Sequence, residues 1–231
     1  MKRFWKVAEA SEVAGGWQVH LDGRGVKTVG GRPQAVPTRA LAEALAAEWD
    51  AQGEKVDPAA FPMRDLADYA IDVVAPDRAA AIRELLPYAE TDTLCYRGDE
   101  GEALHARQCE VWDPLLEAAE HRWDVRFERV SGIVHRPQAA ETLARMQAVL
   151  ESRDAFALAA LKTTTSLAAS LVVGLTALEA SSDARTLWRA AEFEADWQAE
   201  LWGRDAEAGE RAKMRFEAFE LAMRFAALAG D

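Results

Sequence analysis

Between Gly16 and Arg24 apolar and polar side chains alternate. Trp17, Val19 and Leu21 take turns with Gln18 and His20, the period of two of a half-buried strand. Asp22-Gly23 closes the run with a pair that tolerates positive φ at both centres of a primed hairpin turn, and Gly30-Gly31-Arg32-Pro33 marks the next turn. Residues 3–37 therefore predict a small antiparallel sheet. From Thr38 the period changes to that of a helix. Leu41, Leu45 and Trp49 make one stripe of TRALAEALAAEWDAQG, Thr38 stands where an N-cap hydroxyl is needed, and Gly53 fits a left-handed close. A linker with Pro58 and Pro62 leads to a second helix over about 64–74. A sheet covered by helices on one face is an α+β module.

Beyond Pro76-Asp77 the pattern is helical almost to the end. Asp77 can cap RAAAIRELL, and Pro87, with no N–H to give, must break or kink that helix. A helix is expected over 102–122, with Asp113-Pro114 inside it predicting a kink or a division into two. Trp123, Val125 and Phe127 then alternate as a short strand, and Pro137 opens a helix to about Ser152. The longest uncharged run follows Lys162 and ends at Glu179. It is too short and too rich in Thr and Ser for a membrane span, which needs about 20 predominantly apolar residues. Residues 154–179 instead predict one buried helix, with Leu161, Ala168, Val172 and Leu175 on one side. Thr163, Ser166, Ser170 and Gly174 form a second row small enough for a neighbouring helix to approach closely. Ser181 to Asp183 cap a helix running to about Gly203, and residues 205–228 form the last. The fold class is α+β: a small N-terminal antiparallel sheet packed with helices, residues 1–80, then a mainly α-helical C-terminal domain, residues 81–231, with the boundary between Ala75 and Leu86.

Two helical faces stand apart. Glu192, Asp196 and Glu200 share one row of AAEFEADWQAELWG beside Phe193, Trp197 and Trp202; the row is either a solvated face, with Arg204 offsetting Glu200, or a patch for a basic partner. In the last helix Met214, Ala218, Leu221, Phe225 and Leu228 make one apolar stripe. Phe216, Phe219 and Met223 make another, nearly opposite. Such a helix is either sandwiched in its own domain or presents one stripe to a partner, and eight tryptophans suit both readings.

Composition narrows the function. A net charge of −12 argues against nucleic acid and anionic membranes, whose binding needs clustered Lys and Arg. Cys95 and Cys109 form no CxxC pair, no secretory signal leads the chain, and His20, His105, His121 and His135 lack metal-ligand spacing. No phosphate loop, dinucleotide fingerprint or nucleophile elbow occurs. An enzyme would have to assemble its site in space. A pocket between the two domains using Asp92, His105 or Cys95 is the alternative kept open.

Motifs in order along the chain carry a resemblance: RFWK at 3–6, GWQVHLDGR at 16–24, AAEWDAQ at 46–52, YAETD at 88–92, LCYR at 94–97, Gln108, WDP at 112–114, FALAAL at 156–161, Trp197-Gln198 and WGRDAEA at 202–208. In these the chain resembles the assembly chaperones of the soluble catalytic sector of the F-type ATP synthase, the members that act on the alpha subunit. The resemblance implies an N-terminal α+β domain, a helical C-terminal domain, no catalysis and no cofactor or metal. It implies a chaperone that binds the unassembled alpha subunit and shields the surface that later meets a beta subunit, monomeric when free, without membrane insertion. The compartment would be the bacterial cytoplasm, or the mitochondrial matrix for an organellar form. Ala195 stands where the family usually has a further carboxylate, so Glu194 and Asp196 are the nearest acidic candidates. With Trp197, Gln198 and Trp202 they are the expected partner-binding residues. Trp49, Asp50 and Gln52 come second, and Phe216, Phe219 and Met223 complete the set.

Overall fold

The computed structural model describes residues 2–132, 134–203 and 205–230. The described chain carries β1 (Ala8–Val13), β2 (Gly16–Leu21), β3 (Arg24–Gly25), β4 (Ala35–Val36), α1 (Arg39–Asp50), α2 (Pro62–Tyr69), α3 (Arg78–Leu85), α4 (Pro87–Glu90), β5 (Tyr96–Arg97) and α5 (Ala103–Trp123). There follow β6 (Val130–Ser131), α6 (Ala140–Glu151), α7 (Ala155–Ala168), α8 (Leu171–Ala177), α9 (Ala184–Ala191), α10 (Phe193–Trp202) and α11 (Ala206–Ala229). Two compact units result. One holds the residues up to Arg78 with Asp154–Ala160 and those from Leu221 on, and the other holds Ala79–Arg153 and Leu161–Glu220. Composition changes near residue 78, but it carries no trace of these two later segments belonging with the sheet.

In the first unit β2 is central. It pairs antiparallel with β1 from Ala8↔Leu21 to Val13↔Gly16, and its other edge is shared by β3 and β4. Asp22 and Gly23 take φ of 48° and 81°, the primed turn their identities predict. Gln18, expected to face water, is buried with its Nε2 donating to the Val26 carbonyl at 2.7 Å, and Gly25 leaves the room that this amide occupies. Helix α1 starts at the Thr38 hydroxyl, which accepts from Leu41 N at 3.1 Å, and lays Leu41, Leu45 and Trp49 on the sheet. It stops at Asp50, three residues before Gly53. Gln52 makes the close instead, its Nε2 donating to the Glu48 carbonyl at 3.2 Å and its Oε1 accepting from Asp57 N at 2.8 Å. Helix α2 ends in a wider turn over Ala70–Val74, where Ala75 N reaches the Ala70 carbonyl. Asp68 and Asp72 there hold the Gly30-Gly31 loop through Gln34, Val29, Thr28 and Gly30. Ala160, Phe225 and Ala229 complete this core.

The second unit is helical apart from the parallel pair β5–β6. Three expectations change here. Helix α5 is one element that carries Pro114 inside it, and it absorbs Trp123, so the strand expected at 123–127 does not form; Asp124 ends the helix in the left-handed region. Helix α6 starts at Ala140, three residues after Pro137. The long uncharged stretch is two helices rather than one. Ala169 takes φ 49°, its carbonyl accepts from Thr93 N (3.2 Å) and Thr93 Oγ1 (2.8 Å), and the Ser170 hydroxyl caps α8 through Val173 N. Asp92, fully buried, accepts from Leu94 N on one carboxylate oxygen and from Val172 N on the other. No Gly or Pro announces this break, because its cause lies nearly eighty residues away in the sequence.

The break splits the expected small-residue row: Ser166 is exposed, Ser170 is a cap, and only Gly174 is closely approached, by Thr165 of α7, part of the same stretch. A Cβ on Gly174 would fall on the Thr165 hydroxyl and stand 3.0 Å from Thr165 Cα, backbone that cannot step aside. Gly174→Ala is therefore expected to destabilise by about 1–3 kcal/mol despite the better helix propensity of alanine. A urea unfolding midpoint at or above the wild-type value would show that α7 and α8 have room to part.

Candidate functional site

Helix α10 is built outward from the core of the second unit. Trp112 of α5, fully buried, donates its indole N–H to the Ala190 carbonyl at 2.8 Å, which fixes the end of α9. Its ring meets Phe193 edge to face at 5.9 Å, which fixes the start of α10. The sequence pattern predicts one helix from Asp183 to Gly203, but Glu192 leaves helical geometry and divides it into α9 and α10. Glu192 also bonds Arg215 of α11 at 2.8 Å, so the first member of the acidic row is an internal partner. Arg204 lies outside the described residues.

Two concavities flank α10. A groove of about 500 Å³ runs between α10 and α11, floored by Ala195, Ala199, Ala208 and Ala212, with Trp202 at its rim. Trp202 is 78% exposed and its neighbour Leu201 56%. Along the groove Arg211 pairs with Glu207 and Arg215 with Glu192, which leaves its walls nearly neutral. On the other side a depression of about 300 Å³ is walled by Tyr96–Asp99, Glu102, Glu194 and Trp197, and Gln198 lines both hollows. Arg97 lies at its base, but its charge is taken by Asp113 at 2.7 Å. Burial pushes the Asp113 carboxyl up, yet Arg97 and Arg129 outweigh burial and hold it below its ordinary value. The depression therefore presents Asp99, Glu102 and Glu194 to solvent.

The Glu194 carboxylate is held from inside. Gln108, fully buried on α5, donates Nε2–H to Glu194 Oε1 at 2.6 Å and accepts Gly98 N–H on its own Oε1 at 2.8 Å. Trp197 is half-buried beneath Arg107, whose guanidinium lies 5.4 Å from its ring.

Of the residues singled out in the sequence, Glu194, Asp196, Trp197, Gln198 and Trp202 fall together on this one helix. The others do not join them. Trp49 is buried between Trp5 and Phe61, with ring centroids at 5.0 and 4.6 Å, and Gln52 is buried as the close of α1; of that trio only Asp50 is exposed, near Arg3 at 3.5 Å. Both residues are spent on packing and hydrogen bonds. Phe216 and Phe219 pack on Trp188 at 6.1 and 5.4 Å, Phe219 with no exposure, and Met223 is half-buried, so these three form no open stripe. The opposite stripe divides: Met214 is 60% exposed, whereas Leu221, Phe225 and Leu228 belong to the core of the first unit. Helix α11 thus gives Phe219 to the second unit and Leu221, Phe225 and Leu228 to the core of the first. Sequence reasoning passed over Arg107 and Leu201 as site residues, and no spacing on α5 signals that Arg107 will cover Trp197.

The alternative residues are occupied elsewhere. Asp92 and Cys95 have no exposure, burial pushes the Cys95 thiol far up, and neither lines either hollow. His105 lies 3.8 Å from Cys109 Sγ, which also accepts from Arg97 at 3.0 Å. Among the described residues no group of three His, Cys, Asp or Glu side chains could hold a metal ion. No described helix is long and apolar enough to cross a membrane.

The profile of the ATP12 chaperone protein family matches residues 2–120. The mitochondrial protein atp12 of Schizosaccharomyces pombe is 28% identical over 214 residues, 87% of this chain and 74% of its own. The crystal structure of Atp12 from Paracoccus denitrificans superposes with a TM-score of 0.95 at 38% identity, over 99% of this chain and 98% of that one. The crystal structure of the Atu1473 protein from Agrobacterium tumefaciens gives 0.91 at 37% identity, over 99% of this chain and 85% of its own.

Proposed function

This chain belongs to the ATP12 chaperone family, and from that premise we propose that it chaperones assembly of the catalytic sector of the F-type ATP synthase by binding the unassembled alpha subunit through α10. One observation carries the reading: five residues chosen for their motifs lie on a single helix with a hollow on either side, and that helix ends in exposed Leu201 and Trp202. An isolated ring subunit exposes an apolar interface with polar and charged borders, and α10 offers a complementary surface. The neutral, alanine-floored groove suits the apolar part of such an interface, and the carboxylates of the depression suit its basic border. Binding of this kind is reversible by competition. The beta subunit displaces the chaperone when it takes the same surface, and no catalytic step or cofactor is required.

The test is capture of unassembled alpha subunit by the purified chain, with light scattering to follow aggregation of the client. Wild-type protein should retain the subunit and suppress scattering. Trp202→Ala should weaken capture at least tenfold, as a central aromatic anchor does, with the melting temperature almost unchanged because the ring is mostly in solvent. Wild-type protein that neither captures the subunit nor slows its aggregation would end this reading.

A further inference from the structure

Resting on that reading, we propose that buried Gln108 is a positioning residue of the client site, holding Glu194 so that its outer oxygen accepts a hydrogen bond from a basic side chain of the client. The amide is used at both ends: Gly98 N–H is accepted at 2.8 Å and Glu194 Oε1 is bonded at 2.6 Å. Gly98 and Glu194 stand on different walls of the same depression, so one buried side chain sets its width. Among the described residues Glu194 Oε2 takes no hydrogen bond, although Glu194 itself is exposed. A glutamate on a helix surface ordinarily samples many rotamers and loses that freedom when it pairs. Here the loss is met in the free protein, and a carboxylate with one oxygen already fixed binds a cation at less entropic cost.

The charges around it select the partner. Asp99 and Glu102 share the depression, and among the described residues the one cation lining it, Arg97, is neutralised by Asp113. The donor that fits is cationic, an arginine or lysine of the client. Trp197 lines the depression beside it, with the Arg107 guanidinium 5.4 Å from its ring.

The experiment is a double-mutant cycle on affinity for the unassembled alpha subunit, measured at low and high salt. Gln108→Met, which keeps the length and removes the amide, should weaken binding about tenfold and flatten the salt dependence. Glu194→Ala should do the same, and the double variant should bind no worse than Glu194→Ala alone. Glu194→Gln, which can still accept from Gln108, should keep the melting temperature and lose the salt dependence. Should Gln108→Met fail to fold, Gln108→Asn, which withdraws the amide by one methylene, takes its place in the cycle. Additive losses, or a salt slope unchanged in Gln108→Met or Gln108→Asn, would show a residue that supports the fold alone and overturn the proposal. Binding that survives Glu194→Ala overturns it too while leaving alpha-subunit binding intact. Failure of the wild-type chain to bind removes both.

Discussion

Trp112→Ala is expected to lower stability by about 3–5 kcal/mol and to abolish client capture, the largest effect of any single truncation in the second unit. The side chain is fully buried, and it performs three tasks that alanine cannot. It fills the volume between α5 and the α9–α10 junction, it satisfies the Ala190 carbonyl at the end of α9, and it gives Phe193 an edge-to-face partner at 5.9 Å. Removing the ring leaves a cavity and an unpaired carbonyl at the point from which α10 projects. Trp112→Phe separates the contributions. It keeps most of the volume and loses the N–H, so the cost should fall to about 1–2 kcal/mol and capture should persist. Chemical denaturation followed by far-UV circular dichroism reads the stability, and a loss below about 1 kcal/mol for the alanine variant would mean that the junction repacks.

A second large effect is a pH dependence carried by Asp92. Burial raises its carboxyl from an ordinary 3.8 to about 6, while the N–H groups of Val172 and Leu94 and the Ser170 side chain pull the other way without prevailing. A carboxyl that holds its proton more tightly folded than unfolded adds stability below pH 3.8, and that contribution disappears as pH rises through about 6. At about 1.4 kcal/mol per pH unit, the difference amounts to about 3 kcal/mol. The clean measurement compares wild type with Asp92→Asn, which lacks the titration. The stability of wild type relative to the variant should fall by about 3 kcal/mol between pH 3.5 and 7.5. A difference constant across that range would place the Asp92 carboxyl at its ordinary value and its charge in contact with water.

Those two residues show how legible the chain was. Trp112 could be picked from the WDP motif, but nothing around it said that its indole would reach α9, 78 residues further on. Asp92 could be picked from YAETD, yet the sequence offered it only as a pocket residue of the alternative reading, whereas the carboxylate is buried and tied to two helix starts. Local chemistry was read well where the cause is local. Thr38 caps α1, Asp183 caps α9 through Thr186 N at 2.8 Å, and Asp22-Gly23 turns the hairpin. It was read poorly where a distant group intervenes. The break at Ala169 is dictated by Asp92 and Thr93, and the early end of α1 is set by the Gln52 bridge.

By itself the sequence determined the α+β plan, the order of most helices, the absence of a long enough apolar span, and α10 as the segment richest in candidate residues. Each follows from interactions within about four residues or from composition, and such information is carried wherever the chain goes. Only the tertiary structure decided which apolar faces are core and which are surface. Trp49 and Trp202 are the same residue type on comparable helices, and one is 6% exposed while the other is 78% exposed. The difference is made by Trp5 and Phe61, brought against Trp49 by the sheet and the linker, and among the described residues no such ring stacks on Trp202. Gln108 marks the same divide. Its place in a motif was visible, but its bonds to Gly98 and Glu194 exist only because α5, β5 and α10 meet, and hydrogen-bond geometry is a property of that meeting.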